Sequence, residues 1–431
     1  MTSGVTRGGA RRRGGVLAAG LAAGLALLAG VAPVGAAETA AAAAGTAAGG
    51  AGASTDTDRS VSGLDANACK PYFVERGVTF GAYGSLLYQN FTTSRDDDTA
   101  ANEPSVASLS ELFVYLGYRF DDHWLFNSSF GIEDALAGES DDGQATVEFA
   151  YVDYSARKEF GARGGLVLLP LGFLNERHEV NAFLGALRPQ TELRIIPTTW
   201  REAGGGVYGA AGPVEWRAFL TTGLDAAGFT AEDGVAGGRQ QGAEALASDL
   251  SVSARVDWTP LESKTTGTFL VGASAITGGT GQNMPGYPSG RFTLWDAHAS
   301  YRWQGLWVRA LMARSILSDA GEISLAIDPS GLTAIGERMN GWYVEVGYDA
   351  LTLMQGTGQT LVPFCRYESL NTQAEVAPGM SADPASDLTV KTCGVAWNPI
   401  RQVRLTLDAD NYYNQARTAV DQVNLALGWA F

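Results

Sequence analysis

The chain ends on DQVNLALGWAF, residues 421–431, where Val423, Leu425, Leu427, Trp429 and Phe431 share one parity and Gln422, Asn424, Ala426, Gly428 and Ala430 the other. Side chains alternate across a strand, so this segment reads as a strand with one apolar face and one small or polar face. A terminal strand whose last residue is Phe would fray in water unless something covered it. Lipid against the apolar face removes that difficulty and makes the segment one strand of a membrane barrel.

The same alternation recurs upstream. In SDLSVSARVDW (248–258), RQVRLTLDADNYY (401–413) and NGWYVEVGYDA (340–350), apolar residues at every second position oppose Ser, Arg, Asp, Thr or Glu. Short turns are expected at FDDHW (120–124), AAGPVE (210–215), WTPLES (258–263), WQGLW (303–307) and WNPIRQ (397–402). Long polar stretches intervene at 92–107, 225–245, 318–337 and 371–387. Outer-membrane barrels alternate short periplasmic turns with long extracellular loops. Trp124, Trp258, Trp303, Trp307 and Trp397 stand beside the short turns, as an interfacial aromatic ring requires. The segments count to about sixteen strands, with the last pairing to the first near GVTFGAYGSLLYQNF (77–91). The expected fold is all-β, a transmembrane antiparallel β-barrel.

The front of the chain fits an exported protein. Arg7, Arg11, Arg12 and Arg13 precede an Ala/Gly/Leu-rich apolar run that ends in PVGAA, so residues 1–37 read as a signal peptide. Residues 38–71 read as a disordered Ala/Gly-rich leader, and residues 72–431 as the barrel. No later window is apolar enough for a membrane helix. Lysine is confined to Lys70, Lys158, Lys264 and Lys391, and the formal charge is −16. Most acids fall in loops such as SRDDD (94–98), which are solvated faces, and this balance excludes nucleic acid as a partner.

The stretch LVLLPLGFLNERHEVNAFLGALRPQTELRIIPTTWREAGGGVYG (166–209), with VPFCRYESLNTQAE (362–375) and VDQVNLALGWAF (420–431), resembles the phosphate-selective porin O and P family of outer-membrane porins. The resemblance runs from about Phe73 to Phe431. It implies a sixteen-stranded homotrimer in the outer membrane of a Gram-negative-type bacterium. It also implies a long third loop folded into the channel and lined by basic residues that hold anions, with outer-membrane lipid outside and small solutes or anions such as phosphate inside.

The residues of that loop allow two readings. Arg177, His178, Arg188, Arg194 and Arg201 face Glu176, Glu179, Glu192 and Glu202 in the sequence. The arginines suit anion recognition, because the guanidinium offers fixed donors to phosphate or carboxylate oxygens. They equally suit pairing with nearby acids to pin the loop. Phe183, Leu184, Leu187, Leu193, Ile195 and Ile196, with Pro189 and Pro197, are out of place in a solvated loop. The loop is therefore expected to fold inward as a constriction, the alternative being outward packing on a neighbouring subunit. Arg217, Arg255, Arg302, Arg309, Arg366 and Arg404 have lumen parity and are candidates for a positive stripe on the wall.

An enzyme reading requires a base, and the histidines are His123, His178 and His298. Asp296, His298 and Ser300 share a face, but alternate residues stand roughly 7 Å apart by strand rise, too far for a direct relay. We read them as polar wall, with no catalytic residue, no metal site and no cofactor. A barrel hydrolase and a plugged structural or adhesin barrel are the competing classes. Cys365 and Cys393 fall opposite each other about a loop centred near Gly379 and are expected to be able to form a disulfide, a pair that leaves out Cys69.

Overall fold

The computed structural model describes residues 68–134, 144–332, 334–354 and 358–431. Residues 1–67, which hold the expected signal peptide and most of the expected leader, lie outside the described residues. Sixteen strands follow in order: β1 (Gly77–Phe91), β2 (Val106–Arg119), β3 (Trp124–Glu133), β4 (Gln144–Arg157), β5 (Phe160–Leu168), β6 (Arg201–Ala211), β7 (Val214–Thr222), β8 (Leu250–Ser263), β9 (Gly267–Gly279), β10 (Arg291–Trp303), β11 (Leu306–Leu317), β12 (Arg338–Tyr348), β13 (Thr360–Glu375), β14 (Asp387–Ile400), β15 (Val403–Asn414) and β16 (Gln422–Ala430). Each pairs antiparallel with its sequence neighbours, and β16 closes on β1 with Tyr83 opposite Ala430 and Phe91 opposite Gln422. Closure leaves no strand edge open. The terminal Phe does not fray: the Phe431 N–H donates to the Ala82 carbonyl and the Ala82 N–H to the Phe431 carbonyl, both at 2.9 Å.

Alternation sorts the wall into two faces. Along β8, Leu250, Val252, Val256 and Trp258 are about half exposed and point outward, whereas Ser251, Ser253, Arg255 and Asp257 are buried inside the barrel. An apolar exterior and a polar interior are the reverse of a soluble core, and they suit a wall with lipid outside. Cys365 and Cys393 pair across β13 and β14 on the outward face, with Cα atoms 4.2 Å apart, and are joined by a disulfide.

Three sequence expectations change. WTPLES is not a turn: it lies inside β8, where a bulge between Trp258 and Leu261 accommodates Pro260, and the turn follows at 264–266. Proline lacks the ladder donor, and a bulge near a strand end is where a sheet tolerates it. Trp307 faces inward, beneath Arg302 and Arg309. Residues 68–71, expected to belong to a disordered leader, are structured. Ala68 and Cys69 are buried, and Lys70–Phe73 forms a 3-10 turn inside the lower half of the barrel. Asn127 donates to the Ala68 carbonyl at 2.6 Å, Arg119 donates to the Tyr72 carbonyl at 3.1 Å, and the Tyr72 hydroxyl donates to Asp153 at 2.9 Å. Low complexity ends here, and the Tyr72 ring finds an inward aromatic patch of Tyr83, Phe113, Tyr115, Phe149 and Tyr151.

Candidate functional site: the inner loop and the remaining lumen

After β5 the chain turns into the lumen and returns to the wall only at β6. Within this inner loop, Leu169, Leu171, Leu174, Leu184, Ile195, Ile196 and Trp200 have at most 1% of their surface exposed. Most pack on inward residues of β9 to β14, including Phe292, Leu294, Leu311, Tyr343, Leu370 and Val390. Leu184 joins Val362, Phe364 and Ala396 lower down. The loop is folded inward and does not reach out to a neighbouring subunit. The apolar residues that were excessive for a surface loop build a core inside the barrel.

An irregular segment buried in this way needs partners for its backbone polar groups. The wall supplies them from charged side chains. Arg255 donates to the Gly172 carbonyl, Arg309 to Ala182 at 2.8 Å, Arg404 to Val180 at 3.1 Å and to Phe183, and Arg366 to Leu187 at 3.5 Å. Acids receive the loop N–H groups: Gly172 donates to Asp296 at 3.1 Å, Ala186 to Asp408 at 2.6 Å and Thr191 to Glu368 at 3.1 Å. Arginine suits this work because one fork serves two sides. Arg255 binds Asp257 through Nε and the loop through Nη1, and Arg366 binds Glu368 through Nε and the loop through both Nη atoms.

The expected positive stripe is therefore a row of clamps. Arg255, Arg309, Arg366 and Arg404 are spent on loop carbonyls. Arg217 faces Glu176 at 3.6 Å and Asp257 and Glu215 at 3.3 Å, and Arg302 stacks over Trp307 at 3.9 Å near the lower end. Parity identified their face correctly but not their partners, because the loop that meets them is distant in sequence.

The short helix α1 (Gln190–Arg194) carries the other anchor, Glu192, which sequence reading counted only as a countercharge. Its carboxylate accepts from Phe173 N–H at 2.9 Å, Leu174 N–H at 2.7 Å and the Tyr343 hydroxyl at 2.6 Å. Burial pushes this carboxyl above the usual range, with the Tyr343 hydroxyl opposing. The contact requires glycine at 172: its φ is +56°, and a Cβ there would stand 2.7 Å from Glu192 Oε2.

The remaining loop candidates separate. His178 is buried with Nε2 2.5 Å from Glu148, and Arg177 is half-buried. Arg188 donates to Glu111 at 2.7 Å and to Thr199 at 3.0 Å. Arg194 donates to Gln190 at 3.1 Å, and Arg201 to Thr146 and Gln241 at 2.5 Å each. Arg188 and Arg201 line a cavity of about 350 Å³ between the inner loop and the opposite wall, and Arg177 and Arg194 do not. The lining descends from Glu133, Asp134, Arg239 and Gln241 at the upper rim, past Glu111 and Glu148, to Arg404 and Gly428 near the lower strand ends. Arg239, which sequence reading missed, donates to the Pro197 and Ala236 carbonyls.

Asp296, His298 and Ser300 do not form the set that their spacing raised. Strand rise sets alternate backbone positions roughly 7 Å apart, but the Asp296 and His298 side chains lean together, with Nδ1 2.6 Å from Asp296 and Nε2 2.8 Å from Asp257. Both carboxylates are buried under the inner loop, where Asp296 also receives Gly172 and Ser274. The cluster holds the loop.

No family model matches the chain. By fold it is similar to the outer membrane protein OmpT of Vibrio cholerae in its trimer form, with a TM-score of 0.52 and 8% identity over 83% of this chain and 100% of that one. It is likewise similar to the outer membrane channel DcaP of Acinetobacter baumannii, with a TM-score of 0.50 and 10% identity over 83% and 98%. The fold is that of an outer-membrane barrel. In sequence the chain is 34% identical over 378 residues to an uncharacterized protein of Aquifex aeolicus (strain VF5), covering 86% of this chain and 84% of the relative. The two share one family, and the chain belongs to it.

Proposed function

We propose that the protein is a passive diffusion channel of the outer membrane for small hydrophilic solutes, with anions preferred and without catalytic activity. The cavity between the inner loop and the wall from β15 through β16 and β1 to β4 carries this reading, because it keeps charged side chains in an unfilled part of the lumen along the barrel axis. Among its arginines, Arg201, Arg239 and Arg404 bond to neutral acceptors. Glu111 and Glu148 are matched by Arg188 and His178. With Glu133 and Asp134 also in the lining, its arginines and acids balance four to four, so anion preference rests on the resemblance to the phosphate-selective porin O and P family, from which phosphate is a candidate solute. The trimer form of OmpT supports a homotrimer for this chain as well. Planar-bilayer recording of the purified protein tests the proposal: a steady conductance with an anion-selective reversal potential is expected.

A plugged barrel is the second reading, favoured by the turn at Ala68–Phe73 and the inner loop, which together occupy much of the lumen. Absence of any stable conductance decides for it. Esterase or phospholipase turnover that His298→Ala abolishes decides for a hydrolase.

A further inference from the structure

The outer wall carries a cation that lipid contact alone does not explain. Arg314 lies on the outward face of β11, three residues below its upper end, between Trp295 on β10 and Asn340 on β12 in register. It makes no ion pair among the described residues, and its Nε is buried without a hydrogen-bond partner. A charge on the lipid face is tolerated near the interface, where an anionic group can meet it. From this row an outward groove of about 720 Å³ runs down the wall. Ala297, Ala299 and Ala310 line it, because three small side chains fall in neighbouring register rows, and Met312, Trp342 and Val344 stand beside them.

We propose that this groove binds one outer-leaflet lipid, its acyl chain lying along the alanines and its anionic phosphate headgroup on Arg314, with Asn340 as a second donor. The two parts match one amphiphile. The apolar groove begins at the cation and extends toward the membrane interior, and arginine presents a fork that fits phosphate oxygens. A second copy of this chain is the competing occupant, and it would have to bring a carboxylate to the same height. The inference is independent of whether the lumen conducts.

The test uses the full protein in mixed micelles of phosphatidylglycerol and phosphatidylcholine with identical chains, with retained lipid counted by native mass spectrometry. Wild-type protein is expected to retain phosphatidylglycerol preferentially. Arg314→Gln is expected to lower that retention roughly fivefold, the effect of one basic group near a lipid surface. Ala310→Phe, which fills the groove, is expected to lower retention of both lipids. Lys391→Gln removes another outward cation that does not line this groove and is expected to leave the preference intact. Equal retention of the two lipids by wild-type protein, no effect of Arg314→Gln, or an equal loss in Lys391→Gln overturns the proposal. So does an Ala299→Cys variant that crosslinks copy to copy on oxidation in the membrane, since the groove would then be a subunit interface.

Discussion

Replacing Arg188 with Glu reverses a charge at the side of the cavity. The Arg188 side chain retains 13% exposure and reaches Glu111 across the lumen at 2.7 Å, so a solute passing there comes within about 5 Å of it. At that distance, in a water-like dielectric, one unit charge acts on a monovalent ion by about 0.8 kcal/mol, which screening in 0.1 M salt reduces to about 0.5 kcal/mol. Reversal changes the fixed charge by two, so a cation gains about 1 kcal/mol and an anion loses as much. The relative shift of about 2 kcal/mol corresponds to a roughly thirtyfold change in the cation-to-anion permeability ratio. Reversal potentials in asymmetric KCl measure it directly. Arg194→Glu is the internal control, because that side chain binds Gln190 and does not line the cavity. An unchanged reversal potential in Arg188→Glu, or an equal shift in Arg194→Glu, refutes the placement of the pore.

Three further outcomes follow from the packing. Replacing Ala68–Phe73 with a Gly/Ser segment removes the Tyr72 ring and its bond to Asp153, so the lower turn should leave the wall and single-channel conductance should rise. Glu192→Ala leaves the Phe173 and Leu174 N–H groups without their acceptor at a cost of about 1–3 kcal/mol each, so the loop should loosen and the current become noisy. Burial raises the Glu192 carboxyl, which means its contribution to stability is greatest at low pH and declines as pH rises through the folded-state value. Glu192→Gln, neutral and still an acceptor, should therefore keep a quiet current and flatten that pH dependence. Cys365→Ser with Cys393→Ser opens a crosslink spanning 28 residues, worth about 3–4 kcal/mol at most by loop-closure entropy. The thermal midpoint should fall while conductance stays the same.

The wall was legible in the sequence because period two is a local signal. Val423 to Phe431, Leu250 to Trp258 and Trp342 to Tyr348 each announce their outward face without reference to any other strand. The inner loop was legible from composition, since Leu184, Ile195 and Ile196 have no use in water. Its attachments were not. Arg309 and Ala182, or Arg404 and Phe183, are far apart in sequence, and nothing near either residue specifies the other. The same limit hid the function of Glu192, whose partner Tyr343 is 151 positions away. The leader was misjudged at its end for a related reason: low complexity describes residues up to the late sixties, but Cys69, Pro71 and Tyr72 already find places against the wall.

Charge is divided unevenly across the lumen, and the division bears on whether the barrel conducts. On the side from β8 to β14, the acids and arginines described above are bonded to one another or to the inner-loop backbone, and water has been replaced by Leu169, Ile195, Phe292 and their neighbours. Such a half is dry, and its charges are satisfied because an unpaired one would cost several kcal/mol. On the opposite side, Glu133, Asp134 and Arg201 border the unfilled volume, and no ion pair joins them to one another among the described residues. A loop evolved to seal the barrel would need its charges matched on both flanks, since both would then be cut off from water. A loop that narrows the lumen can be anchored on both flanks, as Arg188 on Glu111 and His178 on Glu148 anchor this one, and still leave charge beside the unfilled volume. The arrangement found is the second, which is why the cavity is read as a passage and the loop as its permanent wall.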